Sequence, residues 1–340
     1  MNTDESIYLI KKNNLIAVFL YITFCIAYYL YFTTQGFNYG VYHDYFTFVI
    51  NGDFRKLNVP MIKRLDQGAH VPLLFEGKGL AYLYYYLPRS NNLGFGMVSL
   101  VVNMFCFLLT FRIIQKLNTT LGLKNKWLFL FLLNPQLIFY SQTINKEPFT
   151  LLFIFLSMYL ILNKKYLYLV VIAILFTTVR QHHAVVLALF IFLYSSKTLV
   201  SFIFRLLLSH IFLSLISMFY LTPLLLADSH YLNHIGSVAT KVIGLDKYGL
   251  GYFLLFPLKL LQNFYDQFYL SFWFIQDGIL NLYKFKELLP NLVLISVFLI
   301  KVGALKIKFD WFYGSQKIYY VFIIVYLQVV SLNPVVHQRY

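Results

Sequence analysis

The chain has 340 residues, of which 60% are hydrophobic, 20% aromatic and only 12% charged. Soluble domains carry about 25% charged residues, so a soluble fold is excluded, and repeated apolar runs of roughly 15–23 residues match helices crossing a hydrocarbon core ~30 Å thick. The net charge of +15 would suit nucleic acid, but the cations lie in short gaps between apolar runs, as the positive-inside rule requires of a membrane protein; no nucleic-acid partner is expected.

Lys11 and Lys12 precede the first apolar run, Leu15–Thr33. No small-residue cleavage site follows it, so the run is expected to stay as a first transmembrane helix with its lysines on the cytoplasmic side. A long outer loop, 34–92, then carries the stretch Tyr42–Phe54, a basic patch (Arg55, Lys56, Lys63, Arg64) and the tyrosine-rich run Gly79–Leu87. That run is too short to span and predicts an interfacial helix. The second helix, Leu93–Ile114, returns inside to Arg112, Lys116, Lys124 and Lys126.

The third helix, Trp127–Ile144, runs outward to a tip at Lys146–Glu147. Pro135 lies within it, where a membrane helix tolerates a kink if its neighbours satisfy the freed carbonyl. Pro148 follows the tip at the start of the fourth helix, where a missing N–H matters little. The fourth (Phe149–Leu162) returns to Lys164 and Lys165, and the fifth (Tyr166–Val179) goes out to Arg180, Gln181, His182 and His183. The sixth (Ala184–Tyr194) comes back to Lys197 and Arg205, and the seventh is Leu206–Leu226.

A second outer loop, 227–289, carries His230, His234, Asp246, Asp266 and Asp277, with an interfacial helix expected over Tyr252–Phe264. The eighth helix (Leu288–Ile300) leads in to Lys301, Lys306, Lys308 and Lys317, and the ninth (Ile318–Leu332) ends outside before Asn333–Tyr340. The expected architecture is therefore all-α and polytopic, a single membrane domain over 1–340. It has about nine transmembrane helices plus interfacial helices in two long outer loops, with the N-terminus inside and the C-terminus outside. Of the 13 carboxylates only Asp4, Glu5 and Asp310 fall inside in this layout. Carboxylates count little for topology, so their concentration outside points to a polar reaction site.

Cys25 and Cys106 both fall in apolar helices and read as inert packing residues. The chain has no glycine-rich phosphate loop, no HExxH, no GxSxG and no paired metal-binding carboxylates at helical spacing. No cofactor is expected and no metal-ligand residues stand out, with dependence on a divalent cation left open, and an activated substrate would come from the membrane itself. The heavy use of Phe, Tyr, Ile, Leu, Lys and Asn fits an AT-rich bacterial genome and hence a bacterial cytoplasmic membrane.

Among the outer residues, Asp44, flanked by His43 and Tyr45, reads either as a solvated loop acid or as a general base whose pKa partial burial would raise. Arg180 beside His182 and His183 reads either as a snorkelling helix end or as a fork for a phosphate. His337 and Arg339 repeat that chemistry near the C-terminus. Lys146 adds a cation, with Glu147 holding it in place; the bland alternative is a surface ion pair worth ~0–1 kcal/mol. Outer cations plus one base suit a polyprenyl-phosphate donor, whose phosphate is bound and leaves while an acceptor hydroxyl attacks the sugar.

This pattern resembles the GT-C superfamily of polyprenyl-phosphate-sugar-dependent glycosyltransferases, the bacterial mannosyl- and aminoarabinosyl-transferase kind. The resemblance rests on Asp44 in the first outer loop, an NP…S…KE element (Asn134, Pro135, Ser141, Lys146, Glu147), Arg180, and a late HxRY (His337, Arg339, Tyr340). It implies Asp44 as catalytic base, Lys146, Arg180 and Arg339 near the lipid phosphate, and a glycan or lipid-linked acceptor on the extracytoplasmic face. Many relatives pair two acids in that loop and continue past the RY element, so this chain corresponds to a minimal core or to a short reading frame. The layout is also similar to polysaccharide repeat-unit polymerases of the Wzy/EpsG kind, which use a diphosphate-linked donor. A flippase or transporter would place ionisable residues near the bilayer midplane and discontinuous helices in two halves.

Overall fold

The computed structural model describes residues 3–34, 92–125, 128–141, 146–180, 182–221, 252, 256, 275–276, 279–280 and 312–330. Asp44, the run Gly79–Leu87, the predicted eighth helix, and His337, Arg339 and Tyr340 lie outside them. The described residues are helical apart from two-residue strands, β1 (Ile275–Gln276) and β2 (Ile279–Leu280), paired antiparallel. The helices, in chain order, are α1 (Thr3–Thr34), α2 (Asn92–Thr120), α3 (Phe129–Leu132), α4 (Pro135–Ser141), α5 (Glu147–Leu162), α6 (Tyr166–Thr177), α7 (His182–Tyr194), α8 (Leu199–Ile216) and α9 (Lys317–Val330).

Three stretches are long and apolar enough to cross a membrane: Asn14–Tyr31, Met97–Thr120 and Leu199–Phe219. At this level the chain is a helical membrane protein. The helices α5, α6, α7 and α9 are apolar but shorter.

Two predicted helices are redrawn. The third, expected over Trp127–Ile144, is broken into α3 and α4, because Pro135 cannot donate and Asn134 starts the new helix, its carbonyl accepting from Leu137 and Ile138. The seventh begins at Leu199, so Arg205 sits inside α8 instead of in the preceding gap. Thr198 sets that start as N-cap, its hydroxyl accepting from the Ser201 N–H at 3.2 Å. After α8 the chain widens into a π-helical turn over Ser217–Leu221.

The described residues form two compact units, Met1–Ala184 and Val185–Tyr340. In the first, α2 is central. One face meets α1, α3 and α4 through Tyr21, Cys25, Leu100, Phe107, Phe111, Leu132 and Leu137; another meets α5 through Cys106, Ile113 and Leu152. Both cysteines are free and buried there.

Polar groups tie the broken segment to this core. Ser141 Oγ donates to the Leu137 carbonyl at 2.7 Å, so the Tyr21 hydroxyl donates to Ser141 at 2.5 Å. Asn103 Nδ2 on α2 reaches the carbonyls of Tyr140 and Ser141 at 3.1 and 3.3 Å. It thereby ties the Tyr140–Ser141 end of α4 to the middle of α2.

The tips opposite close by one motif. After α2, Leu123 N–H bonds to Asn118 O and Gly122 N–H to Thr119 O, with Gly122 at φ +68°. After α5, Lys165 bonds to Leu160 and Lys164 to Ile161, with Lys164 at φ +56°. Both are Schellman caps, and the second puts a lysine in the left-handed position that glycine normally fills.

In the second unit, α8 packs on α9, where Ser209 Oγ meets Gln328 Oε1 at 3.2 Å and the Tyr252 hydroxyl donates to the Gln328 carbonyl at 2.8 Å.

Candidate functional site

The residues singled out between the third and sixth predicted helices meet at one end of the first unit. Glu147 opens α5, Arg180 follows α6, and His182 and His183 open α7. Glu147 belongs at a helix start, because a carboxylate in the first turn favours the positive end of the helix dipole. Arg180 is set by the tight end of α6, its N–H bonding to the Phe176 carbonyl at 3.0 Å.

Arg180 Nη2 donates to Glu147 Oε1 at 2.7 Å, with the side chains only 8% and 16% exposed. The pair is thus a buried, charge-assisted link between α5 and the end of α6, not a surface contact. The sequence places Glu147 beside Lys146 and predicts a local role for it. The fold gives it a partner 33 residues away.

His183 is fully buried and stacks on Phe153, ring centroids 4.5 Å apart and planes 24° apart. Its Nδ1 lies 3.0 Å from the Phe176 carbonyl. A carbonyl only accepts, so Nδ1 carries the hydrogen and Nε2 holds a lone pair. Nε2 of both His182 and His183 is buried with no hydrogen-bond partner among the described residues. The rings meet edge to face at 5.2 Å.

Both histidines stand ahead of the apolar run Ala184–Tyr194. Burial pulls the His183 pKa down to about 3; Arg180 and Lys146 push the same way, against the Phe176 carbonyl, which favours the charged ring. Burial, then His183, Arg180 and Lys146, hold His182 well below its usual value. Both rings are therefore neutral near pH 7. They add hydrogen-bond acceptors to the cluster, whereas the phosphate reading of the sequence would have used them as cations.

No family model, curated protein or solved structure matches this chain. The case for a function therefore rests on the cluster and on the sequence.

Sequence reading missed several members. Phe153 and Phe176 frame His183, and Thr150 and Ser157 on α5 bury hydroxyls without partners among the described residues. The available signal was spacing: Thr150 and Ser157 recur on the Glu147 side of α5 at helical period. Ser141, carried by the family resemblance, lies in the Tyr21–Asn103 network described above. Asp44, His337 and Arg339 fall outside the described residues.

Proposed function

We propose that this chain is a membrane glycosyltransferase. It transfers a sugar from a polyprenyl-phosphate carrier to a glycan or lipid-linked acceptor at the outer face of the bacterial cytoplasmic membrane. The observation that supports this reading best is the convergence of Lys146, Glu147, Arg180, His182 and His183 at one helical end. Lys146 and Arg180 supply cations for an anionic lipid-phosphate donor, and the choice of a monophosphate carrier over a diphosphate-linked one rests on the resemblance to the GT-C superfamily.

In this mechanism Lys146 and the Glu147-anchored Arg180 hold the lipid phosphate, the Nε2 lone pair of His183 accepts a hydrogen bond from a sugar hydroxyl, and the buried Nε2 of His182 bonds to another. The acceptor oxygen attacks the anomeric carbon, and Asp44 takes its proton. The carbon–oxygen bond to phosphate breaks, and polyprenyl phosphate leaves with the electron pair. No cofactor or metal is assigned a step.

Purified protein in lipid nanodiscs, offered a labelled polyprenyl-monophosphate sugar and separately a diphosphate-linked oligosaccharide, tests the reading. Turnover of the first is expected, with Asp44→Asn reducing it by about 10²-fold or more at unchanged thermal midpoint. Turnover of the diphosphate substrate alone would make the chain a polymerase. Transport without turnover of either would make it a flippase.

A further inference from the structure

A second cationic cluster lies in the Val185–Tyr340 unit, and it belongs to none of the chemistry above. Arg205 sits about two turns into α8 and reaches back to the end of α7, where Nη1 donates to the Phe192 carbonyl at 2.7 Å and to Ser195 Oγ at 2.5 Å. Lys317, at the start of α9, donates from Nζ to the Ser196 carbonyl at 2.5 Å. Both cations lie over aromatic rings: Arg205 over Phe192 at 5.2 Å, Lys317 over Phe312 at 4.2 Å and Tyr194 at 5.6 Å. Lys197 is exposed beside them.

Part of this is helix capping, since cations favour the last carbonyls of a helix. Capping does not complete the electrostatics. Burial, and then the charge of Arg205, lower the Lys317 pKa, and every described hydrogen-bond partner of the two is a neutral carbonyl or hydroxyl. Among the described residues, two like charges are held together with no carboxylate between them. Each retains N–H groups committed to no described partner.

The surroundings point to a ligand that brings negative charge of its own. The same α8 carries an exposed apolar stripe, Val200, Phe204, Leu207 and Ile211, at helical spacing. Tyr313, beside Phe312, is 74% exposed and carries the amphipathic ring typical of the headgroup level. Cations above an apolar helical face, with an aromatic at their level, match a ligand with an anionic head and hydrocarbon tails. A soluble anion or an acidic peptide would match only the cations.

We propose that Arg205, Lys317 and Lys197 form a binding site for the headgroup of an anionic phospholipid, its acyl chains lying along the exposed face of α8. The phosphate supplies the counter-charge and takes charge-assisted hydrogen bonds from both fixed cations.

The full chain in nanodiscs of phosphatidylcholine mixed with phosphatidylglycerol, analysed by native mass spectrometry for co-retained lipid, tests this. Selective retention of phosphatidylglycerol is expected. Arg205→Gln/Lys317→Gln should weaken its apparent affinity by at least about fivefold per charge removed, while Lys164→Gln/Lys165→Gln in the α5–α6 turn of the other unit should not. Because the double variant also removes two caps, Lys197→Gln serves as the second arm; its side chain caps nothing, and it should show the single-charge loss in a folded protein. Equal retention of the two lipids, unchanged affinity in Lys197→Gln, or equal loss in the α5–α6 control would overturn the proposal. Displacement of the lipid by inorganic phosphate would overturn it in favour of a soluble anion.

Discussion

Glu147 carries more of the first unit than its place in the sequence announces. A carboxylate next to a lysine at a helix tip reads as a solvated pair, yet its oxygen lies 2.7 Å from Arg180 in a buried setting. The two readings differ in energy. A surface pair contributes ~0–1 kcal/mol, whereas removing one partner of a buried pair costs about 3–5 kcal/mol because the other charge is stranded. Glu147→Gln is therefore expected to destabilise the protein by about 3 kcal/mol or more in chemical unfolding in mild detergent. Adding Arg180→Met should restore part of that loss, and a loss below about 1 kcal/mol for the single variant would return the pair to the surface class. Arg180 and the two histidines were legible as candidates because charged and imidazole groups stand out between apolar runs. Their partner was not, because a contact 33 residues apart depends on how α5 and α6 pack.

At the scale of elements, boundaries followed the apolar runs closely for α5 (Glu147–Leu162) and α7 (His182–Tyr194) and failed where a polar residue did something non-local. Pro135 was legible as a kink. That it becomes a full break, with α3 and α4 as separate short helices, depends on the backbone bonds around it, in which Asn134 donates to the Phe131 carbonyl and accepts from Leu137 and Ile138. At the other end of α4, Asn103 reaches across from the middle of α2 to the carbonyls of Tyr140 and Ser141. Asn103→Ala is expected to cost about 1–3 kcal/mol, since one buried and one part-buried carbonyl lose a donor. Tyr21→Phe should cost nearer 1 kcal/mol, since Ser141 keeps its bond to Leu137. Equal effects of the two substitutions in detergent unfolding would remove Asn103 from this role. Arg205 was misplaced for a related reason: a cation inside an apolar run was read as a boundary, but its long stem lets it sit in α8 and reach the end of α7.

For the whole molecule, the membrane class followed from composition alone, and the described residues support it through three helices long enough to cross. The number and direction of crossings were harder to read, because α3 and α4 are each too short to span and sequence stretches rich in tyrosine and charge carry no clear period. Sidedness can be measured within one unit. Lys146 and Lys164 flank α5, so in intact spheroplasts a membrane-impermeant maleimide should label Lys146→Cys and spare Lys164→Cys until the cells are lysed. Labelling of both at once, or of Lys164→Cys alone, would remove the outward-facing site.

In the proposed layout, where α5 and α6 cross the bilayer, their modest lengths have a consequence for the lipid. With 16 and 12 residues, they measure about 24 and 18 Å, well short of a ~30 Å hydrocarbon layer. A bilayer meeting such short rods is pinched to fit them. Pinching brings its polar surface down towards the rods' ends, so a carrier anchored in the leaflet would meet the Glu147–Arg180 corner without leaving its neighbours.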